Sequence, residues 1–422
     1  MADIFFDLSE LYLSSGVKFR YYGIARTVME VAFELTTLDP GVRYVVYSPL
    51  HGRFFEVKPR VGSESPTGVL DHSLPASATS VRLRESLYDN NPAKAAFYWL
   101  VRKIVNYRNR RRWATIPSGK VRKVDLTGQT LVSLCRPKIM SDYLTALEKN
   151  GTKLAFVPLL HDMMPLHNFS GKPGFLPQRN FLHDNTVVVR GASLILANSK
   201  FTKSEILRFS EIGILPPAPE VIAVPLCHEL RRSSEPIMAR APSSKYLVCV
   251  GANTGRKNLE CVFEALLGLQ SQGHEIPDLV LAGARRKSVE RYVKSERLSP
   301  LAARIHFFYN PNQAELAELY REALAVVLPS FMEGWGLPVG EALWCGTPAL
   351  AADVPALREA GGDLAIYFDP RRPHELAELI SNLQSDKVAY DAHKARIAAG
   401  KPGLRTWSDV AADILVAVKG MM

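Results

Sequence analysis

The stretch PSFMEGWGLPVGEALWCGTP, residues 329–348, decides the fold. Ahead of it, Leu324-Ala325-Val326-Val327-Leu328 is a short apolar run that predicts a buried parallel strand. Behind it, the pattern from Val339 to Cys345 predicts a helix, with Pro338 where a first-turn proline is tolerated. Gly334 and Gly336 fall in the turn between. A strand, a glycine turn and a helix put free N–H groups and the positive end of a helix dipole at the strand's C-terminal edge. That is an anion site. Glu333 and Glu341 flank it, eight residues apart. With Glu341 expected in the helix's first turn, both acids face one crevice. An anion site beside two acids that accept hydroxyl hydrogen bonds suits a nucleotide-sugar. The simpler alternative is a glycine turn with a capping Glu, since strand–loop–helix units are common in α/β proteins.

The flanking sequence favours the first reading. Glu333 and Glu341 form an E-x7-E pattern, followed by GTPALAADVPALREAGGDLAIYFDP (346–370) and preceded by VGANTGRKNLE (250–260) and LVLAGARR (279–286). In order and spacing these blocks resemble glycosyltransferase family 4, a family of retaining enzymes, and they cover most of residues 245–408. The resemblance implies an α/β GT-B fold: two Rossmann-like doubly wound domains facing a central cleft, with a C-terminal helix crossing back to the N-terminal domain. The expected boundaries are 1–228 for an acceptor-binding domain, 229–244 for a linker, 245–403 for a nucleotide-sugar domain and 404–422 for the returning helix.

Composition narrows the class. A chain of 422 residues, 47% hydrophobic and 22% charged, has apolar content for two or three cores. It has no apolar run long enough to span a bilayer. The opening MADIFFDL has two acids and no basic region, so no secretory signal is expected. The five cysteines have no metal-ligand spacing and read as core thiols, which points to the cytoplasm. The net charge of +10 suits an anionic partner, but no nucleic-acid-binding motif accompanies it.

In chain order, Ile4–Leu8 predicts a strand, Ser9–Tyr22 a loop, Gly23–Leu35 a helix and Arg43–Ser48 a second strand. This βαβ opening fits a doubly wound sheet. By resemblance, the loop after the first strand closes over the donor diphosphate. Gly16 and Gly23 are the candidates, and a simple turn is the equal alternative. Residues 52–92 are poorly periodic and read as an insertion or long loops. From Ala93 to Trp113 aromatic and aliphatic residues alternate with Lys and Arg. Such a helix lies at an anionic membrane surface or packs on its own domain. Thr130–Cys135, Leu154–Leu160, Leu194–Asn198 and Val221–Pro225 complete the first half as strands. His161 and Asp162 follow the second of these, at the strand edge where open α/β sheets hold their ligands. The resemblance makes His161 a positioner of the reacting sugar, with Asp162 orienting it. Ser199 reads as a helix N-cap.

In the second half the strands and helices alternate again from Tyr246. GANTGRKN (251–258) carries Arg256 and Lys257, which by resemblance contact the donor diphosphate. When the sugar–phosphate bond breaks, charge builds on the departing diphosphate and fixed cations lower that barrier. Glu341 is expected to accept from ribose hydroxyls and Glu333 to reach the transferred sugar. The turn of Gly334, Gly336 and Leu337 presents amides to the phosphates. Tyr309 and Asn310 are candidates for the base, with ordinary loop residues as the alternative. No Asp-x-Asp metal motif stands out, so no essential metal or cofactor is expected. The implied function is transfer of a hexose, mannose or rhamnose, from a GDP-, UDP- or dTDP-sugar to a glycan or lipid-linked glycan in surface polysaccharide synthesis. The expected place is the cytoplasm, at the inner face of the cytoplasmic membrane if residues 93–113 contact it. A sugar-nucleotide hydrolase or epimerase, and a non-catalytic nucleotide-sugar-binding protein, are the competing readings.

Overall fold

The computed structural model describes residues 2–14, 23–65, 67–84, 92–169, 178–231, 236–237, 241–251 and 255–422. The chain divides into two compact units. One takes in Met1–His167, Gly174–Val224 and Trp407–Met422, and the other Asn168–Pro173 and Pro225–Thr406.

The first unit is built on one large sheet. Its parallel strands are Ile4–Asp7, Arg43–Ser48, Thr130–Ser133, Ala155–Leu160, Ile195–Ala197 and Val221–Ala223. Numbered along the chain, they lie in the order 6-5-4-3-1-2. The order reverses between Ile4–Asp7 and Thr130–Ser133, the switch point of a doubly wound sheet. Arg53–Val57 and Val121–Lys123 extend the far edge in antiparallel fashion. The expectation of loops over residues 52–92 is therefore corrected. RFFEV pairs with Tyr44–Ser48, and its mixed burial masks the period-two pattern of a half-buried strand. The loop expected over Ser9–Tyr22 is also partly structured, because Ser9–Tyr12 is a buried helical turn. Gly16 lies outside the described residues.

The last helix, Trp407–Met421, belongs to this unit and packs on Ile24–Leu38. Trp407 is fully buried there, with the Arg26 guanidinium 5.6 Å from its ring centroid. Lys419 pairs with Asp39 at 2.7 Å.

The second unit holds a parallel sheet of Tyr246–Val250, Asp278–Gly283, Ile305–Tyr309, Ala325–Leu328, Ala349–Ala352 and Ile366–Phe368. Their order is 3-2-1-4-5-6, that of a dinucleotide-binding sheet. Helices cover both faces. Leu247, Cys249, Leu279, Leu281 and Val327 join one core, and Tyr246, Val248, Val280, Val326 and Leu328 the other. Successive side chains point to opposite faces, so a strand covered on both sides reads as an unbroken apolar run. After the second strand, helix Lys287–Val293 ends early. It is followed by the 3₁₀ segment Glu296–Arg304, which contains Pro300.

All five cysteines are free, and all but Cys345 are buried. Among the described residues no helix is long and apolar enough to cross a membrane.

Candidate active site

The second sheet's switch point lies between Tyr246–Val250 and Ala325–Leu328. The loops leaving the C-terminal ends of these two strands are the two motif loops, Gly251–Asn258 and Pro329–Gly336. The strand order makes them neighbours, and hydrogen bonds tie them together. Phe331 N donates to Arg256 O at 3.0 Å and Arg256 Nη1 to Met332 O at 2.6 Å. Asn258 adopts φ 50° and donates from Nδ2 to Pro329 O at 3.1 Å and Pro370 O at 2.8 Å. This tie-down explains the Asn: its side chain satisfies two carbonyls, and it is among the residues that tolerate a left-handed backbone.

Arg256 and Lys257 sit in the 3₁₀ turn Gly255–Lys257, before the helix Leu259–Ser271 rather than within it. Their charges therefore do not lie inside that helix's first turn, where they would oppose its dipole. Both converge on Glu333. Lys257 Nζ is 2.7 Å and Arg256 Nη1 3.3 Å from Glu333 Oε1. Burial pushes the Glu333 carboxyl up, but the two cations and the hydrogen bond from Lys257 outweigh it and hold it below its ordinary value. Glu333 is an ionised, buried carboxylate facing two partly exposed cations.

The helix after this loop is Leu337–Trp344. Its N-cap, Gly336, has φ 101° and ψ 51°. A Cβ on Gly336 would stand 2.3 Å from Leu357 Cδ2. Glycine is required there twice over, by backbone and by space. Because the helix starts at Leu337, Glu341 is its fifth residue, which corrects the first-turn placement. Its buried carboxylate accepts from Tyr320 Oη at 2.7 Å. Glu333 and Glu341 are both buried, and different residues hold them.

Tyr309 closes its strand beside a small pocket lined by Gly283, Ala284, Arg286, Phe307 and Tyr309. The Tyr309 ring stacks on Phe307, with centroids 5.6 Å apart, and its hydroxyl donates to Glu290. Asn310 follows at φ 55° and donates its N–H to Gly283 O at 2.8 Å. A Cβ on Gly283 would come within 3.3 Å of Gly251 N, so two backbones pass closely at this edge.

His161 belongs to the first unit, at the end of Ala155–Leu160. Its Nε2–H donates to Leu134 O at 2.8 Å, and burial lowers its pKa, so the ring is neutral. Asp162 accepts from Met164 N at 3.1 Å, capping the turn Met164–Leu166. Beside His161 the strand edge carries a group the sequence did not announce. Buried Asp7 accepts from Ser9 N, Ser133 Oγ and Cys135 Sγ, and Glu10 pairs with Arg136. Desolvation raises the Asp7 pKa. The one sequence signal for it was an Asp at a strand's end. Gly23 is the N-cap of Ile24–Leu38, at φ 65°. Ser199 caps its helix by accepting from Thr202 N at 2.9 Å. Among the described residues no cluster of three or more His, Cys, Asp or Glu could hold a metal ion.

Solved structures match along the whole chain. Anabaena Alr3699/HepE in complex with UDP-glucose superposes with a TM-score of 0.60 at 15% identity, covering 100% of each chain. WaaG, a glycosyltransferase involved in lipopolysaccharide biosynthesis, gives 0.59 at 14% identity, covering 99% of this chain and 100% of its own. The fold these likenesses define is GT-B. Residues 232–401 match the family described as glycosyl transferases group 1. Among curated sequences, the O-antigen chain mannosyltransferase B of Escherichia coli is 29% identical over 216 residues, 46% of this chain and 52% of that relative. The matched segment thus spans about half of that relative's length.

Proposed function

We propose that the protein transfers a hexose, mannose or rhamnose, from a nucleotide-diphosphate sugar to a glycan or lipid-linked glycan acceptor, with retention and without an essential metal. The observation that carries this reading is the convergence of Arg256 and Lys257 on the second sheet's switch point, beside the Gly336–Leu337 helix start. As the C1–O bond to the diphosphate breaks, the negative charge that grows there meets two fixed cations and free amides. The acceptor oxygen bonds to C1 on the same face, and its proton passes to the departing phosphate oxygen. Glu333 accepts from hydroxyls of the sugar, Glu341 from the ribose, and Tyr309 and Asn310 border the base. His161, neutral and fixed by Leu134, positions the sugar. Gly23 serves the donor-side loop. The name of the Escherichia coli relative favours mannose, and HepE's complex with UDP-glucose is the reason to include UDP-sugars among the donors tested. A lipid-linked acceptor would bring the reaction to a bilayer, at the inner face of the cytoplasmic membrane.

The test is release of nucleoside diphosphate from GDP-, UDP- and dTDP-sugars in EDTA, with and without acceptor glycan, and NMR of the product anomer. Acceptor-dependent release with retention is expected. Arg256→Ala should lower kcat by about 10²–10³. Acceptor-independent release would favour a hydrolase, and inversion would refute the front-face reaction. Activity abolished by EDTA would refute metal independence. No release from any donor would remove the enzymatic reading.

A further inference from the structure

Helix Pro92–Trp113 has two unlike faces. The inner one is locked to its unit. Asn109 is fully buried and exchanges two hydrogen bonds with the Val81 backbone, at 2.8 and 2.9 Å. Arg112 donates to Thr79 O at 2.8 Å, and the Trp113 ring lies 4.6 Å from Phe55. At 3.6 residues per turn, Phe97, Leu100, Ile104 and Tyr107 share the opposite side. They are 63%, 51%, 52% and 62% exposed. Trp99, 57% exposed, stands beside them with Lys103 Nζ 3.8 Å from its ring centroid. Arg108, Arg110 and Arg111 are exposed in the helix's C-terminal turns. From Pro92 to Val124 the sequence has ten Lys and Arg and no Asp or Glu.

We propose that this outward face docks the protein on a bilayer that carries anionic phospholipid headgroups, with the helix lying in the plane of the interface. A contiguous exposed apolar strip costs free energy in water and marks an interaction surface. Its aromatic residues are the kind that settle at headgroup depth, and the surrounding cations pair with lipid phosphates. A second copy of the same face would bring like charges together, whereas an anionic bilayer satisfies both the apolar strip and its basic rim. The residues involved are separate from Arg256, Lys257 and Glu333, so docking does not depend on the transfer chemistry.

The experiment is co-sedimentation with phosphatidylcholine vesicles, with and without phosphatidylglycerol, across a salt series. Binding is expected on the anionic vesicles only, and it should weaken as salt screens the phosphates. Phe97→Ser/Leu100→Ser/Ile104→Ser should abolish it while circular dichroism and melting stay as wild type, since these side chains face water. Arg108→Gln/Arg110→Gln/Arg111→Gln should weaken it about fivefold per charge removed. Arg256→Ala should bind as wild type, which separates this result from the assay of glycosyl transfer. No vesicle binding, equal binding to neutral vesicles, or wild-type binding by the serine variant would overturn the proposal. Self-association without vesicles that the serine variant abolishes would give the face to a second copy instead.

Discussion

Lys257 Nζ and Glu333 Oε1 lie 2.7 Å apart, although 76 residues separate them in the chain. The pair is held by loop-to-loop hydrogen bonds on both sides, so the cation is fixed where it stands before any ligand arrives. Such preorganisation is what makes a charge effective against a developing anion.

The Glu333 carboxyl has a folded pKa below its ordinary 4.5. A depressed carboxyl pKa stabilises the fold fully above the unfolded value, and that stability is lost as pH falls through the folded value. Wild type should therefore lose stability below pH about 4.5 faster than Glu333→Gln. Urea denaturation midpoints of the two proteins across the acid range would check this. Parallel curves would mean that the ion pair contributes nothing.

Gly336→Ala should destabilise the second unit by about 2–5 kcal/mol, from a left-handed backbone and a clash with Leu357. Gly336→Ala/Leu357→Val should recover only the steric part. Denaturation curves of both variants separate the two contributions, and thermal shifts with nucleoside diphosphates report whether the helix start still binds.

Tyr320→Phe removes one donor from the buried Glu341 carboxylate. A lost hydrogen bond to a charged group costs about 1.5–3 kcal/mol. If Glu341 also accepts from the donor's ribose, nucleotide affinity should fall as well, which calorimetric titration reads directly. A stability loss with unchanged affinity would make the pair purely structural.

His161 has its pKa lowered by burial from the ordinary 6.5. Between the folded value and 6.5 the unfolded chain binds more protons, so stability rises with pH through that window and is complete above it. His161→Gln should lack this rise while keeping a hydrogen bond to Leu134 O. Comparing melting temperatures of the two proteins from pH 5 to 8 checks the sign, since other buried histidines contribute equally to both.

Trp407→Ala should cost the first unit about 3–5 kcal/mol, because the ring is fully buried and anchors the last helix on Ile24–Leu38. Trp407→Phe should recover part of it. Chemical denaturation followed by circular dichroism gives both values.

The strands of the second unit were legible because double burial writes them as apolar runs, as in Ala325–Leu328. The loops were legible because Gly336 can be nothing else at φ 101°. Strand Arg53–Val57 was not legible, since its mixed burial, with only Phe54 and Val57 buried, leaves no clean period. What the sequence by itself determined was most of the element types in the second unit and which residues are candidates for the chemistry: Arg256, Lys257, Glu333, Glu341 and His161. Only the tertiary structure decided whom they face. Glu333 meets Lys257 because the 3-2-1-4 strand order sets their loops side by side, Glu341 meets Tyr320 across the helices Leu337–Trp344 and Gln313–Glu322, and no linear pattern encodes either adjacency. The same holds for helix Pro92–Trp113: its composition was plain, but which side chains remained in water was settled by the packing of Asn109 and Trp113.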